Sequence, residues 1–362
     1  MEITNYDFPA IAAKFFPEGR FHSCEPYGSG HIHETFLLIK SFNGNLQKYI
    51  LQRFNNSVFK EPEKVLNNIR KITSHLNNIS GKNPDTFYLS MLPTISNEYW
   101  YQDEMQKYWR CFDFIEGSYT IDRVENGSQA FEAARMFGNF FLSLSDINPT
   151  DLDVTIPDFH NIAKRVEALD KAVDSANEKR KSAASREISQ SNQYEDLVKD
   201  YLFVYPEIPL RATHNDTKIN NVLFSSATGK GLCVIDLDTV MPGTVLSDFG
   251  DMVRTFTNSA DEDEMDLRKV FFRPEIFREM TVGFLEGVHG ILKPVEKNSL
   301  ILGGKLIIYM QAIRFLTDYL LGDTYYKIEY PEHNLVRTRS QLKLLDSFIE
   351  NEKEAKHFLL HL

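Results

Sequence analysis

HNDTKINN, residues 214–221, runs into the apolar NVLF and is followed by VIDLDTVMPGTVLSDFGD, residues 234–251. NVLF and LCVIDL are short β-rich runs on either side of the turn-rich SSATGKG. They read as a hairpin, or as two neighbouring strands, set into a region that is otherwise helical. A loop carrying an acid, a cation and an amide at the mouth of a hairpin suits phosphoryl transfer. In that chemistry Asp216 is expected to accept the proton of an attacking hydroxyl and Lys218 to neutralise the γ-phosphoryl group. Asn221 would offer a carbonyl oxygen to Mg2+, a hard cation that prefers oxygen ligands.

Upstream the pattern is extended. FHSCEPYG, ETFLLIK and KYILQRF read as strands punctuated by Gly28-Ser29-Gly30 and Asn43-Gly44-Asn45, followed by a helical EPEKVLNNIRKITSHLNNI and further strands at SMLPTIS and KYWRCFDFIEG. From Ser128 the period becomes helical, with Phe131, Ala134, Phe137, Phe141 and Leu144 on one stripe. SANEKRKSAASREISQSNQ, residues 175–193, reads as a solvated connection between helices. The expectation is an α+β chain of two lobes: a small β-rich N-terminal lobe over 1–112, a hinge at 113–118 and a larger helical lobe over 119–362 carrying one β insert. The Gly28-Ser29-Gly30 turn between two strands lets backbone N–H groups approach phosphates.

Composition narrows the function. The 362 residues hold 40 Lys and Arg against 51 Asp and Glu, a formal charge of −11 that repels nucleic acid and acidic membrane surfaces. No run reaches the roughly 18 consecutive apolar residues of a membrane span. The N-terminal MEITNYDFPAIAAKFF lacks the pattern of a secretory signal, so a cytoplasmic address is expected. Cys24, Cys111 and Cys233 are too few and too scattered for a disulfide framework or a metal knuckle, and read as small buried hydrophobes. His31 and His33 share a strand face but have no third ligand at sensible spacing, which favours packing, solvent or substrate contact over zinc. The acidic SADEDEMDL reads as a solvated loop.

HNDTKINN aligns without gaps on the protein-kinase catalytic loop HRDLKPEN, and its H-x-D-x-x-x-x-N form resembles the aminoglycoside phosphotransferase and choline kinase group of small-molecule kinases. The resemblance implies a bilobal protein-kinase-like fold using ATP and Mg2+. It assigns Mg2+ to Asp236, fifteen residues beyond Asn221 after a short apolar β run. The literal Asp-Phe-Gly at 248–250 comes later, past Pro242-Gly243, so Asp248 and Asp251 are expected at a helix start, capping N–H groups. Asp238 is open: it could reach metal or substrate, or hold the catalytic loop by hydrogen bonds. Where kinases place a lysine on the third strand this chain has Arg53, which can bind phosphate, with Glu61 or Glu63 as its partner. WRCFDFIEG resembles the kinase hinge, which would set backbone around Phe112, Phe114 and Ile115 against adenine.

Within this group, GSGHIHETF, HNDTKINN…VIDLDTVMPG…SDFGD and IRFLTDYLLGDTYYKI…HNLVRTRSQL are similar to N-acetylhexosamine 1-kinases. That likeness implies transfer of the γ-phosphoryl of ATP to the anomeric hydroxyl of an amino sugar such as GlcNAc or GalNAc. Arg314 and Tyr325 would contact the sugar. Read without the family, Arg314 and Asp318 one turn apart form an intrahelical ion pair. Two other readings compete: a kinase for an amino alcohol or aminoglycoside, and a catalytically inactive kinase fold that binds nucleotide or a protein partner. Oligomeric state leaves no mark in the sequence.

Overall fold

The computed structural model describes residues 6–28, 32–56, 59–79 and 87–362. In the N-terminal part, α1 (Phe8–Phe15) precedes β1 (Arg20–Pro26), β2 (Glu34–Phe42) and β3 (Asn45–Arg53). Then come α2 (Pro62–Ile79), β4 (Tyr101–Gln102) and β5 (Tyr108–Asp113). The strands form one antiparallel sheet in the order β1-β2-β3-β5-β4. Side chains alternate across it. Phe36, Leu38, Leu51, Trp109 and Cys111 bury one face under Ile11, Ala12 and Phe15 of α1. The other face, with Phe54 and Phe112, joins Val65, Leu66, Ile69 and Ile72 of α2 in a core that continues into the helical part without a break. SMLPTIS contributes only a bridge, Met91 to Phe112, because Pro93 has no N–H for a ladder.

Residues 114–117 lead from β5 into β6 (Ser118–Tyr119). The helical part begins with α3 (Gly127–Ser143), capped by the Asn126 side chain, and continues with α4 (Ile162–Ser175), α5 (Glu178–Ala183), α6 (Ser185–Asn192) and α7 (Glu195–Val204). The stretch expected as a solvated connection is therefore two short helices. They are docked by long-range pairs, Arg180 to Asp323 and the buried Glu187 to Arg339. Next come β7 (Arg211–Thr213), β8 (Val222–Ser225), β9 (Gly231–Val234) and β10 (Met241–Gly243), then α8 (Val245–Phe256), α9 (Pro274–Gly287), α10 (Pro294–Leu320), α11 (His333–Glu350) and α12 (Glu352–Leu360). β8 and β9 are the hairpin read from the sequence, extended by β6, while β7 pairs with β10.

Two features fix the helical frame. α3 and α9 cross at Gly138 and Gly287, where a Cβ on Gly138 would lie 2.6 Å from the Phe284 carbonyl and one on Gly287 2.5 Å from the Arg135 carbonyl. Only glycine permits that backbone approach. α10 has a window of mean hydropathy 1.4, long and apolar enough to cross a membrane, but 72% of it is buried inside the protein. Its apolar surface is used by the core.

Candidate active site

β7 and β10 bracket the loop that begins at His214. His214 is buried. Its Nε2–H donates to the Ile235 carbonyl (3.0 Å), its Nδ1 accepts from the Asp216 N–H (3.3 Å), and its ring meets Phe137 and Phe140 edge-on. The loop's backbone is gripped from α8: the Asp248 carboxylate accepts the N–H groups of His214 (3.0 Å) and Asn215 (2.7 Å), and Thr217 donates to the Asp248 carbonyl (2.7 Å). Burial pushes the Asp248 carboxyl up to about 6, against the pull of His214 and the two N–H groups. Asp248 and Asp251 do lie in the first turns of a helix, but neither caps it. Asp251 instead binds Arg254 (2.9 Å), which also reaches Glu262 (2.6 Å). The acidic loop is tied down there and again where Asp263 meets His333 (2.9 Å).

The loop brings Asp216, Lys218 and Asn221 together. Lys218 Nζ lies 2.9 Å from Asp216 Oδ1. Burial opposes ionisation of Asp216, but the Lys218 ammonium, aided by His214 and Arg254, outweighs it and holds the carboxyl below its usual range. Asn221 donates its amide N–H to the backbone carbonyl (2.8 Å) and Oδ2 (3.2 Å) of Asp216, leaving its own oxygen for a cation. Asp236 opens into the same cleft two residues beyond β9, with φ +58°. That left-handed conformation costs a non-glycine residue about 1–2 kcal/mol, and Asp is among the residues that bear it best. Although Asp236 is open to solvent, desolvation by the surrounding protein and then the Asp238 and Asp216 carboxylates push it up to about 6. A cation facing Asp236 and the Asn221 oxygen would relieve that crowding. The donors are all oxygens and few, and among the described residues no group of three or more His, Cys, Asp or Glu gathers as a metal site. Such a set fits Mg2+, which keeps waters and phosphate oxygens for the rest of its shell.

Asp238 is engaged within the protein. It sits in a turn, Leu237–Thr239, rather than on the strand, and its buried carboxylate is bound by both terminal nitrogens of Arg110 (Nη2 to Oδ2 3.0 Å) and by His33 Nε2. Burial opposes its ionisation, but Arg110 and His33 hold its carboxyl far below the usual carboxylate range. Nor does it hold the catalytic loop; that is done by Asp248 and by Thr239, which donates to the His214 carbonyl (2.6 Å).

Arg53 is likewise placed elsewhere. It shares the outer sheet face with Leu51, where it pairs with Glu34 (2.5 Å) beside the Tyr6 ring. Neither Glu61, which pairs with Lys64, nor Glu63, which accepts from Tyr108, is its partner. Alternation explains the outcome: Gln52 and its cross-strand neighbour Arg110 take the inner face. Arg110 was missed by sequence reasoning, although the register that turns Gln52 inward turns it inward too.

Ser29, Gly30 and His31 lie outside the described residues; Gly28 has φ +79°, a conformation natural to glycine, with no atom of the described residues near the position of a Cβ. Phe112 is buried on β5. Phe114 is half-buried against Tyr27 and Lys48, and the Ile115 carbonyl accepts from Ser118 Oγ (2.6 Å).

Arg314 on α10 does not pair with Asp318. It donates to Gln311 (3.1 Å), with its guanidinium 5.2 Å from the centre of the Phe159 ring and 5.7 Å from that of Tyr326. Asp318 is spent on the backbone N–H groups of Thr324, Tyr325 and Tyr326 and on Asn334, which shapes the turn after α10. Tyr325 is 66% exposed, edge-on to Tyr326. His160, which no sequence signal marked, joins this region to the catalytic loop through the Asn215 carbonyl (3.3 Å). Burial, then the Arg314 charge, lowers it to about 3, so it is neutral near pH 7. Arg165, donating to the Phe159 carbonyl, is depressed by burial and by Arg314. Neither Arg165 nor Arg314 forms an ion pair among the described residues.

The fold, an antiparallel sheet followed by a larger helical part, is shared with known structures. An aminoglycoside phosphotransferase from Alicyclobacillus acidocaldarius superposes with a TM-score of 0.65 at 11% identity, covering 99% of this chain and 98% of that one. A spectinomycin phosphotransferase solved with ADP and spectinomycin gives 0.56 at 13% identity, covering 91% and 94%. A choline kinase from Cryptosporidium parvum gives 0.51 at 12%, covering 92% and 89%. At these identities the likeness is one of fold. The sequence itself goes further: residues 23–275 match the model of the phosphotransferase enzyme family, APH, and the chain belongs to that family.

Proposed function

We propose that the protein transfers the γ-phosphoryl group of ATP to the anomeric hydroxyl of an N-acetylhexosamine in one direct step. Asp216, ionised at neutral pH, takes the proton of that hydroxyl as its oxygen forms the bond to phosphorus and the bond to the ADP oxygen breaks. Lys218, resting on Asp216, would neutralise charge on the transferring group. Asn221 and Asp236 would hold Mg2+, which when bound neutralises charge on the phosphate oxygens. Gly28 and its neighbours Ser29 and Gly30 would line the phosphates, and the backbone near Phe112, Phe114 and Ile115 the adenine. ADP and spectinomycin in a family neighbour are in keeping with a nucleotide and a hydroxyl acceptor sharing this cleft.

The observation that carries the choice of acceptor is the pair of guanidinium groups, Arg314 and Arg165, neither in an ion pair among the described residues although Asp158 lies near Arg165, beside a neutral His160. Such a wall repels a cationic amine and suits the hydroxyl and carbonyl oxygens of a neutral sugar. Tyr325 would add a ring for a sugar face. The kinship with aminoglycoside phosphotransferases and choline kinases favours the second reading, an amino alcohol or aminoglycoside acceptor.

An acceptor panel read by ADP release separates the two: turnover is expected with GlcNAc or GalNAc, and activity on choline, ethanolamine or spectinomycin with none on the sugars would reverse the choice. Asp216→Asn should lower kcat on the order of 10²- to 10⁴-fold and keep nucleotide binding. Wild-type turnover in that variant would remove Asp216 from the mechanism. A variant and a wild type equally silent on every acceptor would point to an inactive binding fold.

A further inference from the structure

The carboxylate of Asp238 belongs to the helical part of the chain, and its donors belong to the sheet. Arg110 comes from β5, and His33 precedes β2. Both donors are themselves fixed. Arg110 Nε donates to Gln52 (2.9 Å), whose amide donates to Thr35 (3.0 Å), and its guanidinium lies over the Phe54 and Phe112 rings. His33 accepts the Asn55 N–H at Nδ1 (3.0 Å), which leaves the proton on Nε2 for Asp238, and its ring stacks on Phe54 and Phe59. At the far end of the same turn, Asn68 of α2 donates to the Val240 carbonyl (3.0 Å). The sheet lobe thus holds the turn 237–240 at both ends, and Thr239 within the turn ties it to the catalytic loop through the His214 carbonyl (2.6 Å) and the Asn215 amide (3.0 Å). Asp236, in its left-handed conformation, is the residue between the hairpin and that turn.

A buried ion pair is weak evidence for stability, since desolvating both charges offsets their attraction. Its geometry is more telling than its strength: two planar donors arranged around one carboxylate define an orientation. We propose that Arg110 and His33 are positioning residues for Asp236, holding its turn in register with the sheet lobe so that the metal-binding carboxylate keeps a fixed alignment between the catalytic loop and the lobe that covers the nucleotide. This rests on the phosphotransfer reading, in which Asp236 is a ligand of Mg2+.

The test replaces the pair with apolar groups, Arg110→Met with Asp238→Leu, which leaves no buried charge unpaired. It then follows the fluorescence of mant-ADP binding as Mg2+ is titrated, with no turnover involved. The Mg2+ midpoint is expected to rise 10-fold or more, the scale on which outer-shell partners tune metal affinity. The Kd for mant-ADP without metal should stay within threefold. Arg110→Lys, which keeps the charge and loses the fork, should fall between. A folded double variant with a midpoint within twofold of wild type would overturn the proposal and leave the pair as packing. Should the double variant not fold, His33→Gln and Arg110→Lys decide by the same shift, at least threefold being expected and none overturning it. A wild type whose mant-ADP binding ignores Mg2+ would instead sink the phosphotransfer reading underneath.

Discussion

Replacing Asp248 with alanine separates the two meanings that Asp-Phe-Gly can have. In this structure the side chain supplies both acceptors for the N–H groups of His214 and Asn215, and all three residues are buried. Removing it leaves two backbone donors without partners, at about 1–3 kcal/mol each, so about 2–6 kcal/mol together. With an unfolding entropy of roughly 2.1 cal/mol/K per residue over a chain of this length, that is a fall in Tm of about 3–8 °C. The loop that loses its anchor carries Asp216 directly after Asn215, and a displacement of about 1 Å in such a group costs on the order of 10²-fold in kcat. Scanning calorimetry and steady-state kinetics with varied Mg2+ read both effects. If Asp248 were a metal ligand, Asp248→Ala would raise the Mg2+ requirement steeply and leave Tm nearly unchanged. That pattern, or a Tm within 1 °C of wild type, would refute the anchoring role.

Two further outcomes follow from groups outside the chemistry. Gly287→Ala puts a Cβ against the Arg135 carbonyl at the α3–α9 crossing; overpacking of this kind costs about 1–3 kcal/mol, and calorimetry should show the loss while KM for both substrates stays as in wild type. His160 has a folded pKa of about 3 against an unfolded value near 6.5, so the unfolded chain binds the extra proton. Its share of stability is present above pH 6.5 and lost as the pH falls toward 3. Urea titrations between pH 7 and 4 should therefore slope less steeply for His160→Gln, and an unchanged slope would contradict the burial of a neutral imidazole.

What could be read from the sequence was what is local in it. ETFLLIK and KYILQRF keep their period of two because one sheet face is covered by α1, and HNDTKINN carries its acid, cation and amide within one loop. The literal Asp-Phe-Gly was placed correctly on a helix, yet its partners were not, because Asp248 bonds backbone 33 and 34 residues away. Arg110 and Asp238 are 128 residues apart, and no periodicity connects them. Arg53 shows a different limit: the position of a cation on a strand was legible, but which face it took depended on pairing with β2 and β5.

The apolar core that runs from Phe54 and Phe112 through α2 into the helices also governs how the chain can be divided. A cut in the linker at 113–118 would leave each half with a raw hydrophobic wound rather than a finished surface. The halves are expected to be insoluble when expressed apart and to recover one another when co-expressed. Unfolding of the intact chain should accordingly be a single calorimetric event, with no step belonging to the sheet alone.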